Sequence, residues 1–146
     1  MDTLQTVTTP DLKKRRIAFS STTDNIVLVE KMIDDICSEF DLDENNYGNI
    51  LVAVTEAVNN AIYHGNKLNP SKKVRVSFEP GEDKLSFTVE DEGMGFDYNN
   101  LPDPTSAENI EKPYGRGIFL IKNLSDGVTF LNSGRTVEIS FFVGRN

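Results

Sequence analysis

Two hydrophobic rhythms divide the chain. Arg15 to Ser20 reads as a first strand after a loose polar tail over residues 1–13. Ser21 to Asp24 offers helix caps. From Asn25 to Phe40 the apolar positions Ile26, Val29, Ile33, Ile36 and Phe40 recur at three and four, which predicts a helix. Asp41 to Glu44 is a polar break with a cap. A second helix is expected from about Asn45 to His64, with Gly65 as its C′ stop. The period then changes to two. Val74, Val76 and Phe78 alternate, Pro80 to Asp83 turns the chain, and Leu85, Phe87 and Val89 alternate again, so these strands should pair as a hairpin. Asp97 to Pro113 has no clear period and carries Pro102, Pro104 and Pro113. Ile118 to Leu124 resumes a helix, and Val128 to Leu131 with Val137 to Val143 should close a hairpin around Asn132, Ser133 and Gly134. There is no internal repeat. This order predicts an α+β fold, a two-layer sandwich with helices on one face of a mostly antiparallel mixed sheet, as a single domain over residues 14–146.

Composition narrows the class. At 146 residues, 38% hydrophobic and 26% charged, the chain suits one ordinary globular domain. No apolar run approaches a membrane span, and Met1 to Thr9 is polar, without the core of a secretory signal. Cys37 is the sole cysteine, which excludes an intrachain disulfide and fits a reducing cytoplasm. The net charge of -8 argues against nucleic acid as a partner. The basic run Lys13 to Arg16 reads as a solvated flank of the first strand.

Three short boxes carry the candidate chemistry. In the second helix Ile50, Val54, Ala57, Val58 and Ala61 share a broad apolar face. Glu56 and Asn60 are one helical repeat apart, about 40° around the axis, so both can point into one small volume. A carboxylate and an amide oxygen there suit a hard cation, best magnesium, and a reacting hydroxyl. Read alone, the pair is also what a solvated helix face would show. The second box is a strand end, Asp91, followed by Gly93 and Gly95. Such an acid can accept a hydrogen bond from an exocyclic amine, and the glycines let a flat ring approach the backbone. A plain acidic turn would look similar. The third box, Gly115-Arg116-Gly117, opens an apolar helix. Free N–H groups and the helix dipole there favour phosphate, and Arg116 could pair with it. A tight helix entry is the bland alternative. Taken in order, the boxes supply what a protein needs to hold Mg-ATP without a P-loop, and the irregular stretch before the third reads as a lid.

The ordered set resembles the GHKL ATPase superfamily, the fold of gyrase-type ATPases, heat-shock chaperones and histidine kinases. The string from Val54 to Gly65, VTEAVNNAIYHG, is similar to the bacterial anti-sigma factor serine/threonine kinases. The resemblance runs from about Lys14 to Phe142. It implies that Glu56 is the catalytic base, that Asn60 binds magnesium, that Asp91 binds adenine and that Thr136 supports the adenine site. It also implies a partner switch, in which ATP serves to phosphorylate a small STAS-like anti-sigma factor antagonist and a sigma factor is the other partner. Relatives often carry an arginine two positions before the first glycine of the third box. Here that position is Pro113, flanked by Lys112 and Tyr114, and Arg116 inside the box is a candidate to take over the role. The sole histidine, His64, reads as a cation suited to the helix end.

The expected activity is therefore a protein serine/threonine kinase. The alternative is an ATP-binding regulatory module that sequesters a sigma factor or another partner without phosphotransfer. A domain cut from a larger sensor is a weaker reading, because the chain starts and stops like a complete protein. Exposed residues of the first helix and the lid are the surfaces available for a homodimer or a sigma factor, and no pattern chooses between them.

Overall fold

A computed structural model of the protein describes residues 14–96 and 113–143. The tail over residues 1–13 and most of the expected lid lie outside the described residues.

Arg15–Ser20 (β1) leads through a 3-10 turn at Thr23–Asn25 into Ile26–Glu39 (α1). Glu44–Asn60 (α2) follows and continues as a π-turn over Ala61–Gly65. Lys73–Pro80 (β2), Lys84–Glu90 (β3), Pro113–Leu124 (α3), Gly127–Leu131 (β4) and Thr136–Phe142 (β5) complete the order. The five strands form one sheet in the order β1-β2-β3-β5-β4. All its pairings are antiparallel, so the mixed component expected of the sheet is not seen among the described strands.

The period-two positions set which face is covered. Val74, Val76 and Phe78 of β2 sit opposite or beside Leu85, Phe87 and Val89 of β3, and all six are buried. Ile139 and Phe141 of β5 extend the same face, paired with Phe87 and Leu85. Onto it pack the apolar stripes of α1, Val29, Met32, Ile33, Ile36 and Cys37, and of α2, Ile50, Ala53, Val54, Ala57 and Val58. Phe78 lies at the centre, 5.0 Å from Phe87 and 5.7 Å from Phe40 between ring centroids. Side chains of Ser77, Ser86 and Thr88 point the other way.

Local chemistry fixes the helices. Asp43 caps α2 by accepting from the Asn46 N–H at 2.8 Å. The Tyr47 hydroxyl donates to Asp34 at 2.6 Å and ties α2 to α1. Burial, with Asp34 adding to it, pushes the Cys37 thiol up to about 11, so it packs as a small apolar group. No helix among the described residues is long and apolar enough to cross a membrane.

Two boundaries differ from the sequence reading. Gly65 is not a left-handed C′ stop, since only Gly95 and Gly134 among the described glycines have positive φ. Instead the ladder slips by one residue, with Asn66 N–H donating to the Ala61 carbonyl at 2.8 Å, and the helix ends as a π-turn. The third helix begins at Pro113 and not at Ile118. A proline in the first turn is preorganised for helix, and counting Pro113 as a loop residue hid this start.

Candidate functional site

The end of α2, the loop after β3 and the start of β5 meet at one cleft. It is lined by Asn60, Asp91, Phe96, Phe130, Arg135 and Val137, among others. Phe96 and Phe130 meet edge to face at 5.4 Å between centroids and form one wall.

Asp91 is held through its backbone and one carboxylate oxygen. Its N–H donates to the Arg135 carbonyl at 2.9 Å, and its Oδ1 accepts from the Gly93 N–H at 2.8 Å. Burial pushes the Asp91 carboxyl above the usual carboxylate range, while the Gly93 hydrogen bond, then Arg135 and Lys72, draw it partly back. A half-buried carboxylate at the cleft floor, with desolvation as the leading influence, is what a site for a hydrogen-bond donor requires.

The glycines serve close approach between segments. A Cβ on Gly65 would lie 2.3 Å from Asp91 Oδ2, and one on Gly93 would lie 2.0 Å from the Gly65 carbonyl oxygen. The π-turn and the Asp91 loop therefore touch backbone to backbone. Gly95, at φ 83°, packs against the Ser133 carbonyl, which also accepts from Phe96 N–H at 3.0 Å. In the described chain, what approaches Gly93 and Gly95 is neighbouring backbone, whereas the sequence reading had a ring approaching them.

Glu56 and Asn60 converge as their spacing predicts. A Cβ on Gly117 would lie 3.1 Å from Glu56 Oε2 and 3.2 Å from both polar atoms of the Asn60 amide. The pair thus meets at the α-carbon of Gly117, where α3 crosses α2. Asn60 Nδ2 is buried without a hydrogen-bond partner among the described residues. A half-turn of the amide would put its oxygen at the same point, the hard donor that magnesium takes. The orphaned amide and the carboxylate beside it fit such an ion.

Gly115, Arg116 and Gly117 lie inside the first turns of α3 and do not precede it. The uncommitted N–H groups of a helix are its first few, so Gly115 is the glycine positioned to offer one, and Gly117 acts as a spacer. Arg116 is exposed. Thr136 is buried at 6% exposure, but its hydroxyl accepts from Asn132 Nδ2 at 3.0 Å and it does not line the cleft. The reason is strand alternation: Val137, opposite Val89, faces the helices, so Thr136 beside it faces away. Its neighbours Arg135 and Val137 line the cleft in its place. His64 is not the expected cation, because partial burial, with Lys67 nearby, lowers its pKa below the ordinary value. Sequence reasoning also missed Phe96, Phe130 and Arg135. Arg135 precedes β5 with helical backbone angles, so strand alternation does not mark it.

Known proteins agree with this fold. The family model described as "Histidine kinase-like ATPase domain" matches residues 19–141. Serine-protein kinase RsbW of Staphylococcus aureus, in strains JH9 and Newman, is 35% identical over 100 residues, which cover 63% of this chain and 63% of that protein. The match therefore spans somewhat under two thirds of these relatives' length. The crystal structure of the RsbU and RsbW domains of Rv1364c from Mycobacterium tuberculosis superposes with a TM-score of 0.59 at 15% identity, covering 89% of this chain and 32% of that one. That likeness is one of fold.

Proposed function

Because the chain belongs to the histidine kinase-like ATPase domain family, we propose that its cleft binds Mg-ATP and that the protein is a serine/threonine kinase of the anti-sigma type. The substrate on this reading is a small STAS-like anti-sigma factor antagonist in the bacterial cytoplasm, and a sigma factor is the alternate partner. The observation that carries it is the meeting of Glu56 and Asn60 at Gly117, beside a cleft floored by Asp91. The likeness to serine-protein kinase RsbW supports the choice of serine or threonine as acceptor.

Each residue has a distinct task. Asp91 accepts a hydrogen bond from the adenine amine and orients the base. Phe96 and Phe130 wall the cleft from water. The start of α3, with the Gly115 N–H and Arg116, faces the phosphates with positive potential. Asn60 would hold magnesium, which when bound neutralises phosphate charge. Glu56 takes the proton of the attacking hydroxyl as its oxygen forms the bond to the γ-phosphorus, and the bond to the leaving oxygen of ADP breaks. Most of the acceleration in such transfers comes from positioning and charge neutralisation, with roughly 10²–10⁴ from the base.

A second reading has one observation in its favour. Pro113 holds the position where relatives often carry an arginine, and it starts α3. A protein lacking that cation could use ATP to order its lid and sequester a partner without transfer. The deciding experiment mixes the protein with γ-labelled ATP, magnesium and a candidate antagonist, and maps the label. Phosphate on a serine or threonine supports the kinase. Tight nucleotide-dependent binding with no transfer leaves the sequestering module.

A further inference from the structure

Asn66 is 1% exposed and holds four segments together through one side chain. Its Nδ2 donates to Ser21 Oγ at 2.7 Å, just after β1, and to the Lys73 carbonyl at 2.9 Å, at the start of β2. Its Oδ1 accepts from the Glu92 N–H at 2.7 Å. Its own N–H closes the π-turn on Ala61. A side-chain amide has two donors and one oxygen, and all are used.

The Glu92 contact matters most, because Glu92 follows Asp91. The N–H of Asp91 is fixed to Arg135, the next N–H is fixed to Asn66, and the third, that of Gly93, returns to the Asp91 carboxylate. Three successive N–H groups thus set where that carboxylate sits. Two of their acceptors are backbone carbonyl or the carboxylate itself, and the Asn66 oxygen is the one supplied by a distant side chain. Glu92 reinforces the arrangement by accepting from the Lys73 N–H at 2.9 Å and pairing with Arg75 at 3.6 Å.

We infer that Asn66 is a positioning residue for base recognition, which aims Asp91 at the exocyclic amine of adenine without touching the nucleotide. The inference rests on the reading of the cleft as an adenine-nucleotide site. Buried amides that are fully satisfied hold a unique geometry, and losing one acceptor frees the loop it pinned.

The test compares ADP with IDP, which lacks the amine, by calorimetry on folded protein. The parent should prefer ADP. Asn66→Ala should weaken ADP by about tenfold, within the roughly 5- to 150-fold span of coupled sites, and should shrink the ADP-over-IDP preference. Ser21→Ala removes one of the two acceptors of Asn66 Nδ2 and the serine hydroxyl's own bond to the Lys72 carbonyl, leaves the Glu92 contact in place, and should lower the melting temperature with ADP affinity within about twofold of the parent. Parental preference in Asn66→Ala overturns the inference. Failure of the parent to bind ADP would instead overturn the nucleotide reading. If Asn66→Ala does not fold, hydrogen exchange in the parent decides: ADP should slow exchange of the Glu92 amide, and an unchanged rate refutes the link.

Discussion

Replacing Gly65 with alanine adds one methyl group at the point where the end of α2 meets the Asp91 loop. The backbone permits it, since Gly65 does not have positive φ. The methyl carbon would sit 2.3 Å from Asp91 Oδ2 and 2.4 Å from its Cγ, whereas ordinary contact begins near 3.4 Å. The carboxylate must therefore retreat by about an ångström or more, and the Gly93 N–H that holds Oδ1 at 2.8 Å cannot follow freely. Loss of that charge-assisted bond costs roughly 1.5–3 kcal/mol. Better helix propensity of alanine returns up to about 1 kcal/mol. The net loss, about 1–2 kcal/mol, lowers the melting temperature by roughly 3–8 °C in a chain of this size. Nucleotide binding should suffer far more, by about 100-fold or greater, because the acceptor for the base amine is displaced. Gly48→Ala is the control. It lies in α2 with nothing within 4 Å of the added methyl, so it should stabilise the fold and leave ADP affinity unchanged. Calorimetry with ADP and thermal unfolding on the two variants give the comparison. Parental ADP affinity in Gly65→Ala would refute the placement of Asp91 in the site.

Asp91→Asn should weaken ADP by about 10- to 100-fold, yet hold or raise the melting temperature at pH 7.5, because it removes a carboxylate that burial disfavours; a lower melting temperature would show that Asp91 serves the fold. The pH dependence follows in sign. A carboxyl whose folded pKa is raised binds its proton more tightly in the folded state, so its contribution to stability is complete below the unfolded pKa and is lost as pH rises through the folded one. ADP affinity should run oppositely, falling as pH drops through that raised pKa, and a flat profile would contradict the role of the ionised acid. Gly117→Ala places a methyl 3.1 Å from Glu56 Oε2, so the pair must give by a few tenths of an ångström. Phosphotransfer should fall about tenfold while helix propensity keeps the melting temperature level or higher, and an undiminished rate would show that this crossing does not set the catalytic geometry.

Much of the fold was legible because buried faces write their period into the sequence. The strands lie within one or two residues of where alternation put them: β1 spans Arg15–Ser20 as expected, and β2 runs on through Pro80, which was read as turn. The convergence of Glu56 and Asn60 was legible for the same reason, since helix geometry is local. What escaped the sequence was set by contacts between distant segments. Gly65 resembled a helix stop, and only the packing of Asp91 against it gives its purpose. Asn66 carries no local signal in the sequence, because its partners lie between 7 and 45 residues away. Thr136 was placed at the site by resemblance, and its hydroxyl accepts from Asn132 Nδ2.

The central claim is that Glu56 performs chemistry on a nucleotide that other residues bind. Single-turnover transfer of labelled γ-phosphate to an antagonist, at saturating Mg-ATP, tests it in Glu56→Gln. The substitution keeps shape and hydrogen bonding but cannot take a proton. The rate should fall by about 10²- to 10⁴-fold with the affinity for Mg-ATP unchanged. Transfer at the parental rate would contradict the assignment of Glu56 as the base.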